Sequence, residues 1–284
     1  MTMTVSELTA RLRSRLGEKF PGSEVREMIS IIFENLKGWN TTDLLIKSDQ
    51  ELTPFIVSKA DEAADRILSG EPVQYIFGSA HFYGMSFKVN RDTLIPRQET
   101  ALLVDIIVKE WSGKSDLKVL DLGTGSGCIA IALARNLPFS SVTGVDISDG
   151  ALAVARENSQ KLKAKVDFIR GDILALTPPQ TPEYDIIVSN PPYIARSEAS
   201  SMETNVLDYE PHSALFVPDD NPLLFYKAVA DYAAAALKPG GKLYFEINPL
   251  FADDLKKFMA TSGWTDVTLE RDMQQHYRFM IASR

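Results

Sequence analysis

The chain has 284 residues, 45% apolar and 24% charged, proportions of an ordinary folded protein that exclude global disorder and collagen-like or coiled-coil repeats. That length allows one large domain, or a core domain with a small companion. Thirty Lys and Arg against 38 Asp and Glu give a formal charge of -8, which disfavours a protein that holds nucleic acid mainly through phosphates. The single Cys128 has no disulfide partner, and His81, His212 and His276 are too dispersed to frame a metal site, so no metal is expected and a reducing cytoplasm is. The first residues reach Arg11, Arg13 and Arg15 without a continuous apolar run, and the most apolar later stretch, 228–237, is cut by Asp231, so neither secretion nor a membrane anchor is expected.

In chain order, residues 1–72 predict a small helical bundle. Apolar residues at helical spacing mark 5–20 and 23–36, separated by Pro21-Gly22 and closed by Lys37-Gly38. The clearest helix begins at Thr53-Pro54, a cap residue with proline at the first helical position, and places Ile56, Ala60, Ala63, Ala64, Ile67 and Leu68 on one face. Residues 73–95 predict a linker. Within it the aromatic and β-branched runs 75–77 and 82–89, punctuated by Gly78 and Gly84, predict a short hairpin. Over 96–284 a helix from Glu99 leads into alternation: strand 117–122, helix 127–137, strand 142–146, helix 150–162, then strands 166–169 and 184–189. Such alternation predicts an α/β fold, a parallel sheet covered by helices. A helix over 222–237, a strand over 242–247 and strand-like runs over 264–270 and 276–282 follow.

Gly123, Thr124, Gly125, Ser126 and Gly127 stand where a buried strand turns into a helix. Glycines there let the backbone bend sharply and approach a ligand without Cβ collisions. Asp146 lies 19 residues beyond Gly127 at the end of the next strand, where a carboxylate can accept hydrogen bonds from both ribose hydroxyls. A bare turn and a helix-capping aspartate are the plain alternatives, and it is the spacing of the two features that favours a nucleoside-bearing cofactor. Cys128 stands where the dinucleotide fingerprint wants glycine or alanine, which disfavours NAD. Asp172 and Ile173, after the third strand, are candidates for the adenine amine and ring.

The strand 184–189 runs into Asn190-Pro191-Pro192-Tyr193, at a strand end that lies beside the glycine loop in a doubly wound sheet. Two prolines remove two backbone donors and stiffen a segment that offers carbonyl acceptors, with an amide before them and a ring after. An amide or aromatic amine nitrogen is a poor nucleophile because its lone pair is delocalised. Accepting its two hydrogens, at the Asn190 side-chain oxygen and the Pro191 carbonyl, orients that nitrogen for attack, and Tyr193 is expected to pack on the flat target group. The matching electrophile is the sulfonium methyl of S-adenosylmethionine. Proximity is the main catalytic device and no strong base is required.

These residues resemble the HemK/PrmC family of protein-glutamine methyltransferases over nearly the whole chain. The resemblance rests on 70–76 (Gly-Glu-Pro-Val-Gln-Tyr-Ile), 94–100 (Leu-Ile-Pro-Arg-Gln-Glu-Thr), the glycine loop, 188–194 around Asn190, and Glu210-Pro211 with Ala214-Leu215. It implies methylation of the glutamine in the Gly-Gly-Gln motif of class I peptide chain release factors, in support of translation termination. It also implies an N-terminal helical domain that helps bind the release factor, a hairpin linker, and a class I methyltransferase domain, Rossmann-like and doubly wound, ending in an antiparallel strand pair. By motif match, Gly123, Thr124, Gly125, Ser126, Gly127, Asp146, Asp172, Ile173 and Asn190 line the cofactor, and Asn190, Pro191, Pro192 and Tyr193 grip the amide. Gln98, 220–223 and Asn248-Pro249 depart from the family pattern, at positions expected to affect only peripheral contacts. Arg97, Glu99 and Thr100 are read equally well as cofactor neighbours and as a helix start.

Two other functions compete. Asn-Pro-Pro-Tyr also serves adenine amino-methyltransferases, but a nucleic-acid enzyme needs a basic surface, and residues 1–75 carry nine basic against twelve acidic side chains. No direct nucleic-acid binding is expected. A non-catalytic S-adenosylmethionine-binding docking protein is the other reading, and the intact run from Asn190 to Tyr193 argues against it.

Overall fold

The computed structural model describes residues 3–284, so the first two positions of the segment 1–72 lie outside the described residues. The chain separates into two compact units. One comprises the chain up to Ser79 with Glu203–Tyr209, the other Ala80–Met202 with Glu210–Arg284.

In the first unit, β1 (Met3–Thr4) leads into α1 (Val5–Leu16), α2 (Gly22–Lys37) and α3 (Thr41–Ile46), then β2 (Glu51–Leu52), α4 (Pro54–Leu68) and α5 (Val73–Phe77). Thr4 and Glu7 form a reciprocal capping box that starts α1, each backbone N–H donating to the other's side chain at 2.8 and 3.2 Å. Val5, Leu8, Leu12 and Leu16 form its apolar stripe and are buried with Val25, Ile29, Ile32 and Phe33 of α2 and the Ile56-to-Ile67 face of α4. Each fully buried leucine contributes about 1.5–3 kcal/mol of transfer free energy. Thr53 caps α4 through its hydroxyl, as its sequence indicates.

Residues 75–77 form no strand. They lie in α5, which Gly78 ends in the left-handed conformation at φ +64°. Val73, Ile76 and Phe77 pack into the bundle core, and that burial outweighs the strand preference of Tyr75, Ile76 and Phe77. The hairpin consists of β3 (Ser79–Phe82) and β4 (Met85–Lys88).

The second unit continues with α6 (Gln98–Glu110), β5 (Lys118–Leu122), α7 (Cys128–Asn136), β6 (Ser141–Asp146), α8 (Asp149–Lys161), β7 (Val166–Arg170), β8 (Tyr184–Ser189) and β9 (Ile194–Ala195). After α9 (Thr204–Tyr209), which belongs to the first unit, come α10 (His212–Leu215), β10 (Phe216–Val217), α11 (Leu224–Ala236), β11 (Leu237–Glu246), α12 (Ala252–Thr261), β12 (Thr265–Arg271) and β13 (Tyr277–Ser283). Seven strands form one sheet in the order β12-β13-β11-β8-β5-β6-β7, with β13 antiparallel to both neighbours and the rest parallel. The inner strands are buried on both faces, with residues alternating between them, while the edge strands β7 and β12 are largely exposed. Val119, Ile186, Val188 and Tyr244 meet α6 and α7 on one side; Leu120, Ile187, Leu243 and Phe245 meet α11 and α12 on the other. Helix α12 lies outside the predicted elements, although Asp253-Asp254 in its first turn and the buried pair Leu255 and Met259 carry its signal. Among the described residues no helix is long and apolar enough to cross a membrane.

Candidate active site

Register sets the site. Leu122 pairs with Val145 on one side and Ser189 on the other, while Phe245 pairs with Ser189. The residues that follow, Gly123, Asp146, Asn190 and Glu246, therefore leave the sheet at one level on its carboxyl edge. Neighbours β6 and β8 flank β5 on opposite sides, so this is the topological switch point, where open α/β sheets bind ligands.

The glycine loop is held from below. The N–H groups of Gly123 and Thr124 both donate to the Val145 carbonyl at 2.9 Å, and Gly125 N–H donates to Asp146 Oδ2 at 2.8 Å. Gly123, Gly125 and Gly127 have φ of +80°, +54° and +78°, a region that strains other residues. Asp121, fully buried beneath them, accepts from Thr124 Oγ1 at 2.7 Å and Ala130 N–H at 3.2 Å and so ties the loop to α7. Burial pushes its carboxyl up to about 7. Its one signal in the sequence is an acid two positions before the first glycine.

A cavity of about 310 Å³ opens above the loop, lined by Gly123, Gly125, Asp146, Asp172, Ile173 and Asn190, among others. A Cβ on Gly125 would meet nothing within 4 Å, so space is kept at that wall. Asp92 also lines the cavity, and three carboxylates around it suit a ligand carrying positive charge. The volume lies at the small end of the range for cofactor sites, roughly 300–1,000 Å³. These features fit S-adenosylmethionine, whose nucleoside and cationic sulfonium match the glycine cradle and the acidic wall.

Asp146 does not cap α8. Ser148 does so through its hydroxyl, accepting from Ala151 N–H at 3.1 Å, while Asp146 Oδ1 accepts from Ser148 N–H at 2.9 Å. Asp172 accepts from Leu174 N–H at 2.9 Å. Asn190 and Pro192 line the cavity, whereas Pro191 and Tyr193 are not among its walls. The Tyr193 hydroxyl instead donates to Glu246 at 3.1 Å, and burial with this carboxylate beside it raises the phenol's pKa. Arg97 and Thr100 reach the cavity wall, and Thr100 is no plain helix start, because its hydroxyl donates to Glu246 at 2.6 Å. Arg97 is anchored by the buried Glu210 at 2.5 Å, which also accepts from Ile95 N–H at 3.1 Å.

Asn248, expected to be peripheral, is not. Its Nδ2 donates to the Tyr193 carbonyl at 3.1 Å and to Glu198 at 3.0 Å, so this departure adjoins the Asn-Pro-Pro-Tyr segment directly.

A doubly wound sheet with an antiparallel closing pair, a glycine cradle and this cavity at its switch point define the class: an S-adenosylmethionine-dependent methyltransferase. Residues 98–208 match the family described as Methyltransferase small domain, and residues 7–78 the PrmC N-terminal domain. The release factor glutamine methyltransferase of Bacteroides thetaiotaomicron is 42% identical over 99% of this chain and 100% of its own, and that of Flavobacterium psychrophilum is 38% identical over 98% of each. The chain belongs to the release factor glutamine methyltransferase family. A methyltransferase from Pyrococcus furiosus shares the fold at a TM-score of 0.52 and 17% identity, covering 78% of this chain and 98% of that one. The catalytic domain of human Mettl16 does so at 0.56 and 17%, covering 71% and 76%.

Proposed function

We propose that this enzyme methylates the side-chain amide nitrogen of the glutamine in the Gly-Gly-Gln motif of class I peptide chain release factors, in the cytoplasm. The observation that carries the reading is the shared level of Gly123, Asp146 and Asn190 on one wall of one cavity. Gly123 to Gly127 would hold the cofactor with Asp146 at its ribose and Asp172 with Ile173 at its adenine. When bound, S-adenosylmethionine supplies an electrophilic methyl group. The chain's own residues orient the nucleophile: Asn190 Oδ1 and the Pro191 carbonyl accept the two amide hydrogens, which aligns the nitrogen and favours the pyramidal geometry of attack. Pro192 stiffens the segment, and Tyr193 holds its end from behind.

The helical segment 1–72 has no cofactor motif and serves as the docking surface for the protein substrate. Leu45, Ile46 and Phe55, between 66% and 77% exposed, are apolar contacts available to it. Direct nucleic-acid binding forms no part of this reading, which the net acidic charge supports. Incubation of a class I release factor with enzyme and cofactor is expected to add one methyl mass to the peptide containing Gly-Gly-Gln. Modification that persists when that glutamine is replaced would refute the assignment.

Asp146→Ala is expected to weaken S-adenosylmethionine binding by about 1.5–3 kcal/mol, the loss of a charged hydrogen-bond acceptor. Calorimetry checks this, with unchanged affinity assigning Asp146 solely to the Gly125 and Ser148 backbone.

A further inference from the structure

One buried carboxylate beside the amide grip has no part in the reading above. Glu246 is 2% exposed and ends β11, and because Phe245 pairs with Ser189 it stands level with Asn190 on the adjacent strand. Its Oε2 accepts from Thr100 Oγ1 at 2.6 Å and its Oε1 from the Tyr193 hydroxyl at 3.1 Å. Asn190 Nδ2 in turn donates to Thr100 Oγ1, at 3.4 Å. Two members of the Asn-Pro-Pro-Tyr run are thus connected to one carboxylate, directly at Tyr193 and through Thr100 at Asn190.

Hydrogen-bond direction gives this chain a consequence. An ionised carboxylate only accepts, so the single Thr100 hydroxyl hydrogen is committed to Glu246. Thr100 Oγ1 can then only accept from Asn190, which must turn its NH₂ group inward. The Asn190 oxygen is left for the substrate. A flipped carboxamide would set NH₂ against the substrate's NH₂, two donors facing each other, and the grip would fail. The same chain polarises each member in turn, strengthening Asn190 Oδ1 as an acceptor while the substrate nitrogen becomes acidic. Burial, with Glu99 adding to it, raises the Glu246 carboxyl above its ordinary value, and the hydrogen bonds from Thr100 and Tyr193 and the charge of Arg278 pull it back toward the ionised form.

We propose that Glu246 is a positioning residue for methyl transfer: through Thr100 it fixes which face of the Asn190 carboxamide meets the substrate, and through the Tyr193 hydroxyl it holds the far end of the same segment. This rests on the reading of Asn190 as the amide grip.

The test is steady-state methylation of intact release factor by full-length variants, with cofactor affinity measured alongside. Glu246→Gln keeps the shape but can donate to Thr100, which removes the directional constraint. It is expected to lower kcat about 10- to 100-fold, as for loss of one charge-assisted hydrogen bond, with cofactor Kd within about threefold. Thr100→Val should lose a similar amount, and Thr100→Ser, which restores the hydroxyl, should recover to within about threefold of wild type. The double variant Thr100→Val with Glu246→Gln should lose no more than either alone, because both break one chain. A purely structural role would make the losses multiply. Wild-type kcat in Glu246→Gln, multiplying losses, or an equal loss of cofactor affinity overturns the proposal. If Glu246→Gln does not fold by thermal melting, the Thr100→Val and Thr100→Ser pair decides: equal activities overturn it. Asn190→Ala in the same series separates the two levels. An active Asn190→Ala removes the grip itself, whereas an inactive Asn190→Ala beside a fully active Glu246→Gln removes only the role of Glu246.

Discussion

Asn190→Ala is expected to lower kcat by about 10²- to 10³-fold, the range seen when a preorganised transition-state hydrogen-bond partner is removed. Cofactor affinity should change little, because the glycine loop and Asp146 are anchored on β5 and β6, by bonds that do not involve Asn190. The split follows from when the contact matters. A planar substrate amide gains little from Asn190 in the ground state, but as the nitrogen pyramidalises and its hydrogens become acidic the acceptor grows in value, so the loss falls on kcat. Stopped or burst kinetics with saturating cofactor measure this directly. Turnover within a few fold of wild type would end the assignment of Asn190 to the reaction. Asn190→Asp keeps an acceptor but adds charge and cannot donate to Thr100, so it should fall between wild type and alanine.

The glycine loop yields the second large effect, and its positions should respond in opposite ways. A Cβ at Gly127 would lie 3.1 Å from Ala155 Cβ, 3.1 Å from Phe168 Cζ and 3.2 Å from Ile131 Cδ1, at a φ of +78°. Gly127→Val therefore combines left-handed strain of about 1–2 kcal/mol with overpacking of about 1–3 kcal/mol, and should depress the melting temperature with or without cofactor. Gly125→Ala faces open space, so it should cost only about 1–2 kcal/mol of backbone strain. Its larger consequence belongs to the ligand: a methyl on the cavity wall should abolish most of the melting-temperature rise that S-adenosylmethionine produces in the wild type. Differential scanning fluorimetry across cofactor concentrations reads both. A Gly125→Ala protein stabilised by cofactor as strongly as wild type would show that the loop is a turn and not a cradle.

The class of fold and the identity of its two motifs were legible in the sequence for a physical reason. Strands buried on both faces must be apolar along their length, helices over them must show a 3.6-residue stripe, and a strand-to-helix turn that needs positive φ must use glycine, so β5, α7, β6 and β8 announce themselves locally. The spacing from Gly127 to Asp146 is likewise set by one helix and one strand. Tyr75 to Phe77 read as strand because aromatic and β-branched composition is a local signal, whereas the helix that forms there is fixed by burial of Val73, Ile76 and Phe77 among residues as distant as Leu8. Only the tertiary structure could place Glu246 beside Asn190, since the 55 intervening residues include β9, β10 and α11 and the pair meets through the register of β11 on β8. Glu210 with Ile95 and Arg97, 115 and 113 positions apart, is the same case. Local pattern determines what a segment becomes and which residues can carry chemistry; strand order and register, summed over the whole sheet, decide which of those residues share a site.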